Sequence, residues 1–154
     1  MTSQQRTAIL LAAGGSLALL AGAFIFQAFG YAPCKLCIWQ RWPHVAAIVI
    51  GVLCLATRRA GLAWFGALAA LATAGVGLYH TGVERGFWVG PTTCTSGDVG
   101  GLSADDLMNQ ILAAPLIRCD EVAWQLLGLS MASWNAILSL GLAAIWVWAA
   151  TRRA

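Results

Sequence analysis

Residues 8–29 read AILLAAGGSLALLAGAFIFQAF, 22 residues without an acid, a Lys or an Arg. A helix of about 20 apolar residues crosses the roughly 30 Å hydrocarbon layer of a bilayer. In that layer every backbone polar group must be paired within the segment or a closed sheet. The stretch therefore predicts a membrane-spanning helix over about 8–29. Three further stretches read the same way, over about 37–56, 61–79 and 130–150. Gly and Ala abound within them, as in Gly14-Gly15 and from Ala67 to Gly77, and small residues let membrane helices approach closely. Arg6 ahead of the first run, with Ala21-Gly22-Ala23 inside it, resembles a secretory signal and its cleavage site. The run continues through Phe24-Ile25-Phe26, beyond a typical signal core, so a retained helix is expected.

The rest of the composition agrees. Of 154 residues, 60% are hydrophobic and 10% charged, with eight Trp and a single Lys, where soluble domains carry about 25% charged residues. The net charge of +3 is small and the few Arg form no basic stripe, which argues against nucleic-acid binding. The length suits one integral membrane domain over 1–154. The expected fold class is an all-α membrane protein, a four-transmembrane-helix bundle with a short surface helix in its second outer loop.

Orientation follows from Lys and Arg near the span ends. Arg6, Arg58, Arg59, Arg152 and Arg153 flank one side, and Lys35, Arg41, Arg85 and Arg118 fall on the other. The paired arginines adjoin span ends, where the bias is strongest, so both termini and the Arg58-Arg59 loop are expected in the cytoplasm. The loops of about 30–36 and 80–129 then face outward. All six acids, from Glu84 to Glu121, fall in the longer loop. Within it Ser103-Ala104-Asp105-Asp106 has the pattern of a helix start, followed by Leu107, Met108, Ile111 and Leu112 at helical spacing and limited by Pro115. Too short to span, this amphipathic piece is expected on the membrane surface.

Four of the five Cys sit in or beside the outer loops: Cys34 and Cys37 in the first, Cys94 and Cys119 in the second. Two cysteine pairs on an oxidising face point to disulfide chemistry. Cys34-Lys35-Leu36-Cys37 has the spacing of a redox-active dithiol and opens the second helix, whose dipole favours a thiolate. Arg41 follows Cys37 by four residues, one turn deeper on the same face. Its guanidinium keeps its proton, so it can hold a Cys37 thiolate and polarise the oxygen of a bound quinone. A snorkelling Arg41 is the blander alternative. The four thiols as a zinc site are another, although Cys94 and Cys119 are not a close pair. Cys94 and Cys119 can close a disulfide across their loop, either as a structural staple or, given the Gly, Pro and Ser around Cys94, as an exchangeable bond. Cys54 reads as a small buried hydrophobe. His44 and His80 are candidate quinone partners, with His80 favoured because it should lie at the depth of Arg41. The many Trp fit an interfacial belt.

Pro33-Cys34-Lys35-Leu36-Cys37-Ile38-Trp39-Gln40-Arg41 resembles the Pro-Cys-x-Leu-Cys-x-x-x-Arg signature of the disulfide bond formation protein B (DsbB) family. Cys94 and Cys119 support the resemblance, as does Trp124-Gln125-Leu126-Leu127-Gly128-Leu129-Ser130-Met131 ahead of the last helix. The resemblance implies a four-helix bundle in the bacterial inner membrane enclosing a quinone, ubiquinone or menaquinone, near the outer face. It implies a periplasmic DsbA-like thioredoxin-fold partner engaged at Cys94, a relay from Cys119 to Cys34, and Cys37 facing the quinone beside Arg41. A DsbA-like oxidant sits at about −120 mV, so its reoxidation needs a still more oxidising sink. Gln40 departs from members that carry an acid there, so that acid's role does not transfer. Vitamin K epoxide reductase-type enzymes also couple a Cys-x-x-Cys to a quinone, but with the pair near the last helix. A structural four-span protein with a stapled loop would leave Arg41 unexplained.

Overall fold

The computed structural model describes residues 1–91, 103–113 and 117–152; Cys94, Pro115 and Arg153 of the sequence reading lie outside the described residues. Helix α1 spans Ser3–Ala28, α2 spans Lys35–Thr57, and a single 3-10 turn, Ala60–Leu62, leads into α3, Ala63–Glu84. A short α4, Ala104–Ala113, and a two-strand hairpin, β1 Gln125–Leu126 and β2 Leu129–Ser130, precede α5, Met131–Thr151. Helices α1, α2, α3 and α5 are each long and apolar enough to cross a membrane.

Local chemistry sets the ends. Thr2 caps α1 in a reciprocal box with Gln5, and the Gln5 amide donates across the bundle to the Ala149 and Arg152 carbonyls. Arg58 ends α2 in the left-handed conformation. Ser103 accepts from the Asp106 amide at the start of α4, as its sequence pattern predicts. The third helix runs past the expected end at Tyr79 to Glu84, so His80 and Glu84 belong to its last turns rather than to a loop. The hairpin was not anticipated. Its turn places Leu127 and Gly128 at φ of 53° and 75°, the pairing of positive φ values typical of a two-residue hairpin turn.

The four long helices form a closed ring in chain order. Helix α3 packs most extensively on α5 and then on α2, while α1 bridges α2 and α5. Helices α2 and α5 therefore stand on opposite corners. The packing inverts that of a soluble bundle. The core holds Ala8, Ala12, Ala63, Ala67, Ala70, Ala143 and Ala149 around Ile9, Cys54 and Trp146. Large side chains such as Leu11, Phe24, Val52, Phe65 and Leu68 point outward and are more than half exposed. An exposed apolar girdle of this kind suits lipid, and small interior residues suit close helix approach. Cys54 is fully buried in this core, as expected of a small hydrophobe.

Gly66 shows how close the approach is. A Cβ there would meet the Trp146 indole at 2.6 Å, so α3 reaches α5 only because this side chain is absent. Gly66→Ala should cost about 1–3 kcal/mol through overpacking, read as a lower thermal-unfolding midpoint in detergent micelles. An unchanged midpoint would show that the Trp146 ring moves aside freely.

Candidate functional site

At the end of the bundle opposite Gln5, Cys34 is the N-cap of α2. Its sulfur takes the place of a capping oxygen and accepts the Cys37 amide at 3.3 Å. The Cys-x-x-Cys spacing over this first turn sets the two sulfurs 3.0 Å apart. Cys34 is buried and Cys37 half-buried. The Cys34 thiol is pushed well above the usual thiol range by its hydrogen bond to Cys37 and by burial. The Cys37 amide, which donates to the same sulfur, pulls the other way.

Cys119 is fully buried. It packs in one apolar cluster with Cys34, Leu36 and Val83, with Cys37 against its edge. The fold thus gathers three of the four outer-loop cysteines of the sequence reading, and Cys94 lies outside the described residues. Around Cys119, Arg118 grips Asp120 through two hydrogen bonds of 3.0 and 2.6 Å and approaches Glu121 at 3.6 Å. This partner holds the Asp120 carboxyl below its ordinary value.

Beneath the sulfurs lies a cavity of about 230 Å³. Cys34, Cys37, Arg41 and His80 all line it, together with apolar groups such as Leu20 and Phe26. Trp124 closes it from the loop side and packs edge-on against Phe26 with ring centroids 5.1 Å apart. The Arg41 guanidinium donates to Gln27 Oε1 at 2.8 Å and to the Ala23 carbonyl at 3.4 Å, and lies over the Phe24 ring. Arg41 is therefore anchored to α1 at the rim of the cavity. His80, a candidate quinone partner from the sequence, lines the cavity and also meets Cys34. Its Nε2 is 3.5 Å from Cys34 Sγ and its Nδ1 is 2.9 Å from Gln40 Nε2.

Sequence reasoning gave no role to four residues here. Gln40, Thr73 and Asn135 join His80 and His44 in a buried hydrogen-bonded cluster, and Glu84 Oε1 lies 3.8 Å from His80 Nε2. The available signal was an amide or hydroxyl inside an apolar span, where polar groups find partners or a function. The cluster ties α2 to α5 across the diagonal of the ring, the pair of helices that otherwise touch least.

Two kinds of group suit the donors gathered here. The ligand atoms of Cys34, Cys37 and His80 lie within 4.8 Å of one another, a set that could take a soft metal. The apolar cavity of about 230 Å³ beneath the sulfurs could take a flat apolar ring bearing oxygens. Among the described residues, Arg41 Nε and His44 Nδ1 are buried without a hydrogen-bond partner, and both belong to residues lining it. One offers a donor to a ring oxygen and the other a second polar contact.

A four-helix membrane bundle carrying a buried dithiol at one end, with a third thiol packed on it and an apolar cavity below, defines a membrane thiol oxidoreductase. The comparisons agree. The family model described as "Disulfide bond formation protein DsbB" matches residues 5–149, and the chain belongs to the DsbB family. It is 32% identical to disulfide bond formation protein B of Albidiferax ferrireducens over 90% of this chain and 84% of that one. It is 32% identical to disulfide bond formation protein B 2 of Pseudomonas aeruginosa over 83% and 79%. An uncharacterized protein of Rickettsia prowazekii is 29% identical over 81% and 76%. No solved structure gives a significant match.

Proposed function

We propose that this protein oxidises the dithiol of a periplasmic DsbA-like protein and delivers the electrons to a membrane quinone, ubiquinone or menaquinone. It does so from the bacterial inner membrane, with both termini in the cytoplasm. The observation that carries this reading is the stacking of parts: Cys119 is buried against Cys34, and Cys37 lines the cavity that Arg41 also lines.

The relay is a series of exchanges. A partner thiolate attacks a loop disulfide at Cys94, a role that rests on the family signature. The released Cys119 thiolate attacks a Cys34–Cys37 disulfide at Cys34 and frees Cys37. The partner's second thiolate then displaces Cys94, and the partner leaves oxidised. Cys94 retakes Cys119 and frees Cys34, so that Cys34 and Cys37 end as the reduced pair. Each exchange forms one S–S bond and breaks one, leaving its electron pair on the departing sulfur. Bound in the cavity, a quinone would accept two electrons from the Cys37 side and two protons, ending as quinol while Cys34 and Cys37 end as a disulfide. Arg41 would hold negative charge at the cavity rim, and the apolar walls and Trp124 would exclude water.

Stopped-flow oxidation of a reduced DsbA-like protein by the purified chain, with and without added ubiquinone-1, tests the reading. Catalytic turnover that requires the quinone is expected. Stoichiometric oxidation unaffected by any quinone would reject the acceptor, and no oxidation would reject the partner.

A further inference from the structure

The polar cluster between Cys34 and the interior has a direction that follows atom by atom. His44 lies ten residues below Cys34, about 15 Å at the rise of a helix, so the cluster runs toward mid-bundle. Its pin is Thr73. Thr73 Oγ1 lies 3.1 Å from the Gln40 main-chain carbonyl, which can only accept, so the hydroxyl proton is committed there. Every other contact to that oxygen must then be donated to it. Asn135 Nδ2 at 3.1 Å and His44 Nε2 at 3.3 Å are those donors. The His44 Nε2–H also serves Asn135 Oδ1 at 2.8 Å.

The same Asn135 nitrogen faces Gln40 Oε1 at 2.7 Å and donates its second proton there. Exchanging oxygen and nitrogen on Asn135 would set two acceptors against each other at Thr73. With Oε1 accepting, the Gln40 group facing His80 is the NH2, which donates to Nδ1 at 2.9 Å. His80 Nδ1 therefore carries no proton. A neutral His80 holds its proton on Nε2, the nitrogen 3.5 Å from Cys34 Sγ and 3.8 Å from Glu84 Oε1, with the Cys119 main chain also in reach of the ring.

We propose that Thr73, Asn135 and Gln40 are positioning residues that fix His80 as an Nε2–H donor to the Cys34 sulfur, not as the base that removes its proton. The proposal rests on the reading of Cys34 as a redox thiol and adds how that sulfur is handled. When an incoming thiolate bonds the sulfur joined to Cys34, the old S–S bond breaks and its electron pair, with the negative charge, stays on Cys34. Two donors already face that sulfur, the Cys37 amide at 3.3 Å and His80 Nε2–H. The His80 proton need not leave its nitrogen.

The test is nitrogen-15 NMR of histidine-labelled full-length protein in lipid nanodiscs at neutral pH, recorded before any dithiol or quinone is added. The chain has two histidines, so His80→Asn assigns the signals. In the wild type His80 should show a protonated, pyrrole-type Nε2 and a bare, pyridine-type Nδ1. A carboxylate can only accept, so Gln40→Glu should pull the proton to Nδ1 and exchange the two signal types. Thr73→Ser should keep the wild-type pattern, while Thr73→Val should give a mixture of tautomers. These two variants carry the test if Gln40→Glu fails to fold. A wild-type His80 protonated at Nδ1 would overturn the proposal, as would a Gln40→Glu or Thr73→Val spectrum identical to wild type. Loss of partner oxidation with the tautomer intact counts against the proposed function and not against this donor geometry.

Discussion

Cys119→Ser is expected to abolish oxidation of the DsbA-like partner while leaving the short dithiol pair able to work. Serine is nearly isosteric and the site is fully buried, so the cluster with Cys34, Leu36 and Val83 should survive. What disappears is the sulfur that can bond Cys34. Without it, partner electrons have no covalent route to the cavity, and the loss should be complete rather than graded. A small dithiol able to reach Cys34 or Cys37 directly should still drive quinone reduction at a substantial rate. Cys94→Ser should behave like Cys119→Ser in both assays. Cys54→Ala serves as a control, since Cys54 sits in the opposite, apolar cluster. If Cys119→Ser oxidises the partner at the wild-type rate, the loop thiols are a staple and the relay fails.

Arg41→Ala carries the second large effect. Its charge lies inside a membrane helix, where charge is costly unless it is used. A charge-assisted hydrogen bond in a dry site is worth about 1.5–3 kcal/mol. If it acts in the transition state, its loss should slow quinone-dependent turnover roughly 10- to 100-fold. If it acts in binding, the apparent quinone affinity should fall by a similar factor. Arg41→Lys keeps the charge but loses the planar fork, so it should fall between. The anchoring of Arg41 to Gln27, Ala23 and Phe24 supplies a rival cause, a loosened contact between α1 and α2. Thermal unfolding of the same variants separates the two. A well-folded Arg41→Ala with unchanged rate and affinity would leave Arg41 as a structural strut.

Hydropathy was enough to find the four spans because each long helix is apolar almost throughout and its length is set by the bilayer. The ends were less legible. The third span read as stopping at Tyr79 because His80, Glu84 and Arg85 look like loop residues in a linear scan. The helix continues because His80 turns to Gln40 of α2 and Glu84 to Ser130 at the start of α5, so their cost is met by partners the scan cannot see. The hairpin at Leu127 escaped for a related reason. Gly128 is an ordinary turn signal, but a leucine at positive φ is uncommon. Cys34, Cys37 and Arg41 were legible because their relation is local, within two turns of one helix. Gln40, Thr73 and Asn135 were not, because their relation exists only where α2, α3 and α5 converge.

The inverted packing has a consequence for how this chain can change over time. In most proteins the bulky interior is the constrained part and the surface drifts. Here the wall against lipid tolerates any greasy side chain of adequate size, so Leu, Phe, Val and Ile can interchange there at little cost. The alanines and the glycine facing Trp146 have no room to grow. In a saturation library scored for survival, intolerance should therefore fall on the small residues of the core, and not on glycines with open space such as Gly14 and Gly75. The fold's memory would reside in its least conspicuous residues, and a substitution table tuned to water-soluble proteins would rank these positions wrongly.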